Sequence, residues 1–325
     1  MSYNTGGNSG NVSGVLNTYL NKAFVSDLEF DLQHQKFTMK GDVPRGMGNI
    51  LRFNEFSPPT RTGQSGTGTT ALTEGTTTEN QVTNITITPT NLTLAEFGEF
   101  VKVTSLYDIA AQAGTRERLR KRMRDGASVS LDTYTYTAAR ATTNVLYAIT
   151  GAQGAQSTAP ATVAALGATA IMYARKVLKD GLAQPFSGIP GHPDGTYAAI
   201  LTEKQEFDIV SEITTGRAYW NNGVVNVPGA LGQEKWVKGY MGTIYGTACY
   251  STNNYGTTSL TSTCDIGYVY ADDGVGAASI ANMQPEIIIN DVNSPYKNMD
   301  SIAWHTYYQA ALLASARVIK LYSLS

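Results

Sequence analysis

Residues 57–93 form a stretch that cannot bury itself. The run SPPTRTGQSGTGTTALTEGTTTENQVTNITITPTNLT carries fourteen threonines in 37 residues, one arginine (Arg61), two acids (Glu74, Glu79) and no lysine. Thr, Val and Ile crowd a helical turn at Cβ and suit a pleated surface, so the segment favours extended backbone. Pro58, Pro59 and Pro89 deny it a helix, and Gly63, Gly66, Gly68 and Gly75 loosen its middle. The returning arm alternates, with Val82, Asn84, Thr86 and Thr88 on one face and Thr83, Ile85 and Ile87 on the other. This pattern predicts a two-stranded ribbon with a loose tip. An isolated hairpin is marginal in water. The ribbon therefore needs a surface, and in a chain otherwise able to fold the expected surface is another molecule, a second copy of the chain included.

Composition points the same way. Charged residues make up 15% of the chain, where about 25% is usual. Nineteen tyrosines accompany that deficit. Interfaces are rich in Tyr and poor in Lys and Glu, so the balance suits a subunit with much of its surface covered by neighbours. A β-rich extracellular protein is the alternative reading of composition alone. A net charge of −2 over 325 residues gives no global attraction to nucleic acid or anionic membrane, and the length allows two domains, each with a core. The opening MSYNTGGNSGNVSG has neither a basic n-region nor an apolar h-region, so no signal peptide is expected. No apolar run approaches the length of a membrane-spanning helix. Cys249 and Cys264 are accordingly expected as buried free thiols, and Asn11, Asn84 and Asn91 as ordinary asparagines despite their sequons.

The apolar pattern from Val15 to Phe37 suggests a short helix and then an extended arm. Residues 45–56 alternate Ile50, Arg52, Asn54 against Leu51, Phe53, Glu55, a strand leading into the ribbon; residues 94–103 are expected to lead out of it. Leu119, Met123, Ala127, Leu131, Tyr134, Ala138, Ala141 and Val145 then recur at steps of three and four. They predict a helix of about 40 Å at 1.5 Å per residue, with Asp125-Gly126 as a possible bend. A second helix is expected over 162–180, with Thr162 as N-cap, a stripe of Val163, Leu166, Ala170, Tyr173 and Val177, and Gly181 past its end. After the Gly/Pro-rich segment 187–195, short apolar runs among glycine turns, with one short helix near 203–212, read as a separate mixed sheet-and-helix domain. The C-terminal segment reads as two strands joined by a turn.

Catalytic signals are absent from the pattern. His34, His192 and His305 are scattered, and none has the spacing of a base held beside a nucleophile. Asp272, Asp273 and Asp291 lack the regular oxygen-ligand spacing of a calcium loop. The GTGTT segment has no lysine and precedes no helix, so it is no phosphate loop. One basic cluster stands out: Arg116, Arg120 and Arg124 share a helical face, with Glu117, Lys121 and Asp125 spaced for i,i+4 pairs on the next. It reads as a solvated helix face, a sequence-blind phosphate contact or an intersubunit salt-bridge strip.

Four segments, in this order, resemble the N4-type family of tailed-phage major capsid proteins, which share the HK97-like capsid fold. They are GTGTTALTEG (66–75) with LTLAEFGEFVKVTSLYDIAAQ (92–112); the helix closing on TTNVLYA (142–148); YAAILTEKQEFDI (197–209) with GTIYGTACYSTNN (242–254); and AWHTYYQAALLASARVIKLYS (303–323). The resemblance implies an α+β chain in five parts: an N-terminal arm (1–44), an extended two-stranded E-loop (45–98), a peripheral domain with a long spine helix (99–190), a mixed axial domain (191–291) and return strands of the peripheral domain (292–325). Thr70, Leu72 and Glu74 fall near the E-loop tip as intersubunit contacts, and Arg116, Arg120 and Arg124 on an inner or intersubunit face.

The same resemblance implies a non-enzymatic subunit without cofactor, metal or membrane, assembled in the host cytoplasm into the virion. Its expected partners are copies of itself in pentamers and hexamers, a portal, scaffold or decoration proteins, and packaged double-stranded DNA. RERLRKRMRDGASVS (116–130) is more basic than that family's spine. No lysine lies between Lys40 and Lys102, so the lysine-asparagine weld of some capsids has no donor here, and a non-covalent shell is expected. The alternatives are an encapsulin-like nanocompartment shell of the same fold and a β-rich receptor- or glycan-binding protein.

Overall fold

The computed structural model describes residues 33–44, 46–56, 87–104, 115–150, 155–214, 240–254, 257–259, 263–280, 286–291 and 299–325. The chain enters through a 3-10 turn, His34–Phe37, and β1 (Met39–Val43). A two-stranded sheet follows, β2 (Ile50–Phe56) paired antiparallel with β3 (Ile87–Thr93), and then β4 (Ala95–Thr104). Helix α1 (Thr115–Arg140) leads to β5 (Val145–Ala148), β6 (Ala155–Gln156), α2 (Ala168–Asp180), β7 (Tyr197–Thr202) and α3 (Glu203–Thr214). Next come β8 (Tyr240–Ile244), β9 (Thr247–Thr252), β10 (Thr257–Ser259), β11 (Thr263–Tyr270) and β12 (Val275–Ile280). The chain ends with β13 (Glu286–Asp291), β14 (Met299–Leu312) and β15 (Val318–Leu324).

Strand β14 organises the smaller main sheet. It takes β4 along one edge, from Met299↔Thr104 to Tyr308↔Ala95, and β13 and then β12 along the other; β1 adds parallel to β12. Successive strand residues face opposite sides, and this sheet uses both. Ala277 and Ala310 pack with Met123, Ala127 and Leu131 of α1, whereas Ala278 and Ala311 pack with Leu51 and Leu92 of the β2–β3 ribbon. Ribbon, sheet and helix thus form three layers.

The larger sheet runs β6-β5-β15-β11-β7-β9-β8, with β10 beside β11. All six residues of β7 (YAAILT) are buried, as expected of a strand inside a sheet covered on both faces. The turn joining β8 to β9 is Tyr245-Gly246, with φ of 47° and 75°, two positive values as a type I′ hairpin turn requires. Strand β5, which precedes the 187–195 segment, and β15, from the C-terminus, lie in the same sheet as β7 and β9.

Helix α1 runs unbroken through Gly126. A Cβ there would sit 3.4 Å from the Glu99 carboxylate of β4, so glycine permits a close helix-strand approach and introduces no break. Its TYTYT run is helical although Thr resists helix. Ser130, Thr133, Thr135 and Thr137 each donate a hydroxyl to the carbonyl four residues back, which satisfies the hydroxyls without favouring helix. The packing of Met123, Ala127 and Leu131 on the β14 sheet holds the helix in place. Val145, predicted as the last of the stripe, is instead in β5. Helix α2 begins at Ala168, six residues after the predicted Thr162 cap. Its first amide donates to Glu212 Oε2 of α3 at 2.8 Å, and Gly167 makes room for that carboxylate.

Candidate assembly surfaces

The ribbon root is built from the alternation of β2. Leu51 and Phe53 face the body with Leu92, which is 1% exposed, against Val43, Leu94, Ala278, Ala311 and Leu313. An added Cβ at Gly41 would run into Leu51, and one at Gly276 would sit 3.1 Å from the Phe53 ring; two glycines open the bed on which the root lies. The outer face presents Ile50 and Ile87, both more than half exposed, with Arg52 donating to Asn54 at 3.1 Å. The root lies on its own chain's sheet. Ile87–Thr93 is the ribbon's returning arm, and the strand expected to lead out of the ribbon is Ala95–Thr104, which joins the sheet of β14. Thr70, Leu72 and Glu74 lie outside the described residues.

The basic cluster sits on the first half of α1. Arg120 and Arg124 are half-buried, and the Arg116 side chain lies outside the described set. Arg124 pairs with its neighbour Asp125 at 2.9 Å, half of the Asp125 side chain being exposed, a geometry that adds little stability. Beside the pair, a groove of about 820 Å³ runs between α1 and residues 251–254. Lys121 and Arg124 line it together with Asp125 and the buried Asp132, so its walls carry both signs.

Exposed apolar side chains form a second set that the sequence reading passed over. Phe207 (67% exposed) and Val210 (45%) share the outer face of α3, while Gln205 and Ile209 are buried beneath. Phe100 of β4 is 62% exposed, with Lys102 Nζ 5.9 Å above its ring, and Val129 and Tyr134 project from α1. Position 207 lies about 200° around the helix from 205 and from 209. An aromatic on the polar face was therefore the available signal.

Two buried imidazoles each meet a tyrosine hydroxyl. His34 Nδ1 lies 2.8 Å from the Tyr270 hydroxyl, and His192 Nδ1 lies 2.7 Å from that of Tyr250. Burial holds both imidazoles below their ordinary pKa, opposed in part by Asp132 at His34, and by Thr196 and Asp194 at His192. Burial likewise raises Tyr250, Tyr268 and Tyr270, and pushes the Cys249 thiol up to about 12. Cys249 and Cys264 are both buried thiols outside any disulfide, as expected. His305, in β14, sits 3.8 Å from Glu96 of β4. Among the described residues no group of three His, Cys, Asp or Glu could hold a metal, and no helix is long and apolar enough to cross a membrane.

No family model matches the chain, and no curated protein matches it. Solved structures do. The capsid of Ralstonia phage GP4 aligns with a TM-score of 0.64 at 13% identity, over 89% of this chain and 87% of that one. The capsid of cyanophage P-SCSP1u aligns at 0.59 and 13% identity, over 90% and 88%. The SrpI encapsulin complex of Synechococcus elongatus aligns at 0.54 and 11% identity, over 90% and 86%. The chain has the HK97-like α+β fold.

Proposed function

We propose that this chain is the major capsid protein of a tailed bacteriophage, of the N4-type group, whose copies close an icosahedral head around double-stranded DNA. The observation that carries the reading is the likeness to phage capsid subunits over about nine-tenths of both chains. The exposed ribbon face, the low charge and the solvent-facing Phe100 and Phe207 support it. In this reading residues 1–44 are the N-terminal arm, 45–98 the E-loop, 99–190 with 292–325 the peripheral domain, and 191–291 the axial domain. Thr70, Leu72 and Glu74 reach a neighbouring subunit, where a loop held by two neighbours gains from high effective concentration. Arg116, Arg120 and Arg124 face either DNA phosphates or the next subunit. Portal, scaffold and decoration proteins are the further partners; the work is mechanical, with no enzymatic step. The shell forms in the host cytoplasm and becomes part of the virion.

Electron microscopy of the purified protein tests this directly. Closed polyhedra are expected from the full chain, and none from a chain lacking residues 63–75 that keeps the secondary structure of its parent. Closed shells from the shortened chain would remove the loop from the mechanism. The likeness to an encapsulin favours a second reading, a nanocompartment shell around an enzyme. Nuclease-protected DNA in particles from infected or producing cells selects the phage head, and a co-purifying enzyme selects the compartment.

A further inference from the structure

The 3-10 turn His34–Phe37 is gripped at both ends by buried imidazoles. At its start, the His34 amide donates to Asp132 Oδ1 of α1 at 2.8 Å, and the His34 ring lies 2.8 Å from the Tyr270 hydroxyl of β11. Tyr136, Tyr268 and Tyr270 surround that ring with centroids 5.8–5.9 Å away. At the turn's end, Phe37 fills a cage of Phe186, His192 and Tyr250, at 5.5, 5.3 and 5.0 Å. His192 Nε2 faces the Thr196 carbonyl at 3.1 Å and the Thr196 hydroxyl at 3.0 Å, and Nδ1 faces Tyr250 at 2.7 Å. A carbonyl can only accept, so Nε2 carries the proton and Nδ1 accepts from Tyr250. A second proton on the ring would set donor against donor until the tyrosine hydroxyl turned away.

We propose that residues 34–37 form an acid-released clasp, which fastens the start of β1 to α1 and to the larger sheet while His34 and His192 are neutral. The charged groups facing them are Asp132 from α1 and Asp194 from the 187–195 segment. Both favour the protonated rings, and burial outweighs them at each site, so both pKa values lie below the usual 6.5. The clasp's contribution is therefore complete above that value and fades as pH falls below it. In that window the opening equilibrium rises about tenfold per histidine for each pH unit, until the folded-state pKa is reached. The inference stands apart from the shell reading, since it concerns one folded subunit.

Two measurements on the full chain test it. Histidine C2 hydrogen exchange by mass spectrometry should give midpoints below 6.5 for His34 and His192; either midpoint at or above 6.5 overturns the proposal. Amide exchange of residues 33–43, corrected for intrinsic rates, should show more than tenfold greater opening at pH 5.0 than at pH 7.5. The response should be flat in His34→Gln/His192→Gln. A wild-type segment indifferent to pH, or a double variant keeping the full response, would overturn the clasp. If the double variant does not fold, the two wild-type measurements decide alone.

Discussion

Replacing Leu92 by alanine should loosen the ribbon root without unfolding the body. The residue is 1% exposed and sits in a small cluster with Val43, Leu94 and Ala278, separate from the larger core around β7 and β11. The change deletes three buried carbons, about 2.4 kcal/mol at roughly 0.8 kcal/mol each. The cavity left behind brings comparable substitutions to about 2–5 kcal/mol. Because the cluster has its own contacts, the loss falls on local opening of β2–β3 and spares global unfolding. At about 2.4 kcal/mol the opening equilibrium rises roughly fiftyfold. Amide exchange of a peptide spanning 87–94 should accelerate by that factor, while one spanning 197–202 stays at its parent rate. Equal acceleration of both peptides would refute the idea that the root has an independent small core. An unchanged 87–94 peptide would refute its docking on the β12–β14 sheet.

Two further outcomes follow from the exposed surface and from the lysine pattern. Phe207→Ser should change subunit stability by less than about 0.5 kcal/mol in urea, since the side chain is 67% exposed, yet reduce particle yield in sedimentation if the proposed shell uses this face; normal particle yield would take Phe207 out of the proposed contacts. Particles boiled in detergent should run as one band near 34.8 kDa, and a ladder of oligomers would disprove a non-covalent shell.

The spine was legible where apolar residues carry it and illegible where polar ones do. Met123, Ala127 and Leu131 are buried as the spacing predicts. Beyond Leu131 the stripe continues through Thr135 and Ala139, not through Tyr134 and Ala138. Thr135 can occupy a core position because its hydroxyl meets the Leu131 carbonyl and the Tyr308 hydroxyl, which an apolar count cannot register. The start of α2 was misplaced for a similar reason: its cap comes from Glu212, 44 residues downstream. His34 gave no signal at all, since its role depends on Asp132 and Tyr270, 98 and 236 residues away. Alternation in β2 was read correctly, because period two separates Leu51 and Phe53 from Ile50 and Arg52 whatever lies beneath.

The small residues of β12 let the ribbon rest on its own chain, which in the proposed lattice leaves its outer face for a neighbour. Gly276, Ala277 and Ala278 leave almost no side-chain thickness between ribbon and spine, so Phe53 and Met123 approach the same strand from opposite faces. If the proposed lattice holds, a pull on the ribbon enters the body through β12 and its antiparallel ladder with β14, from Val275↔Leu312 to Ser279↔Tyr308. It then reaches α1 through Ala277 and Tyr308. That route bypasses β7 and β11, where the larger core lies. A weakly rooted ribbon can then yield or re-angle at a lattice contact at the cost of its own few buried side chains, while the core that keeps the subunit folded stays out of the path.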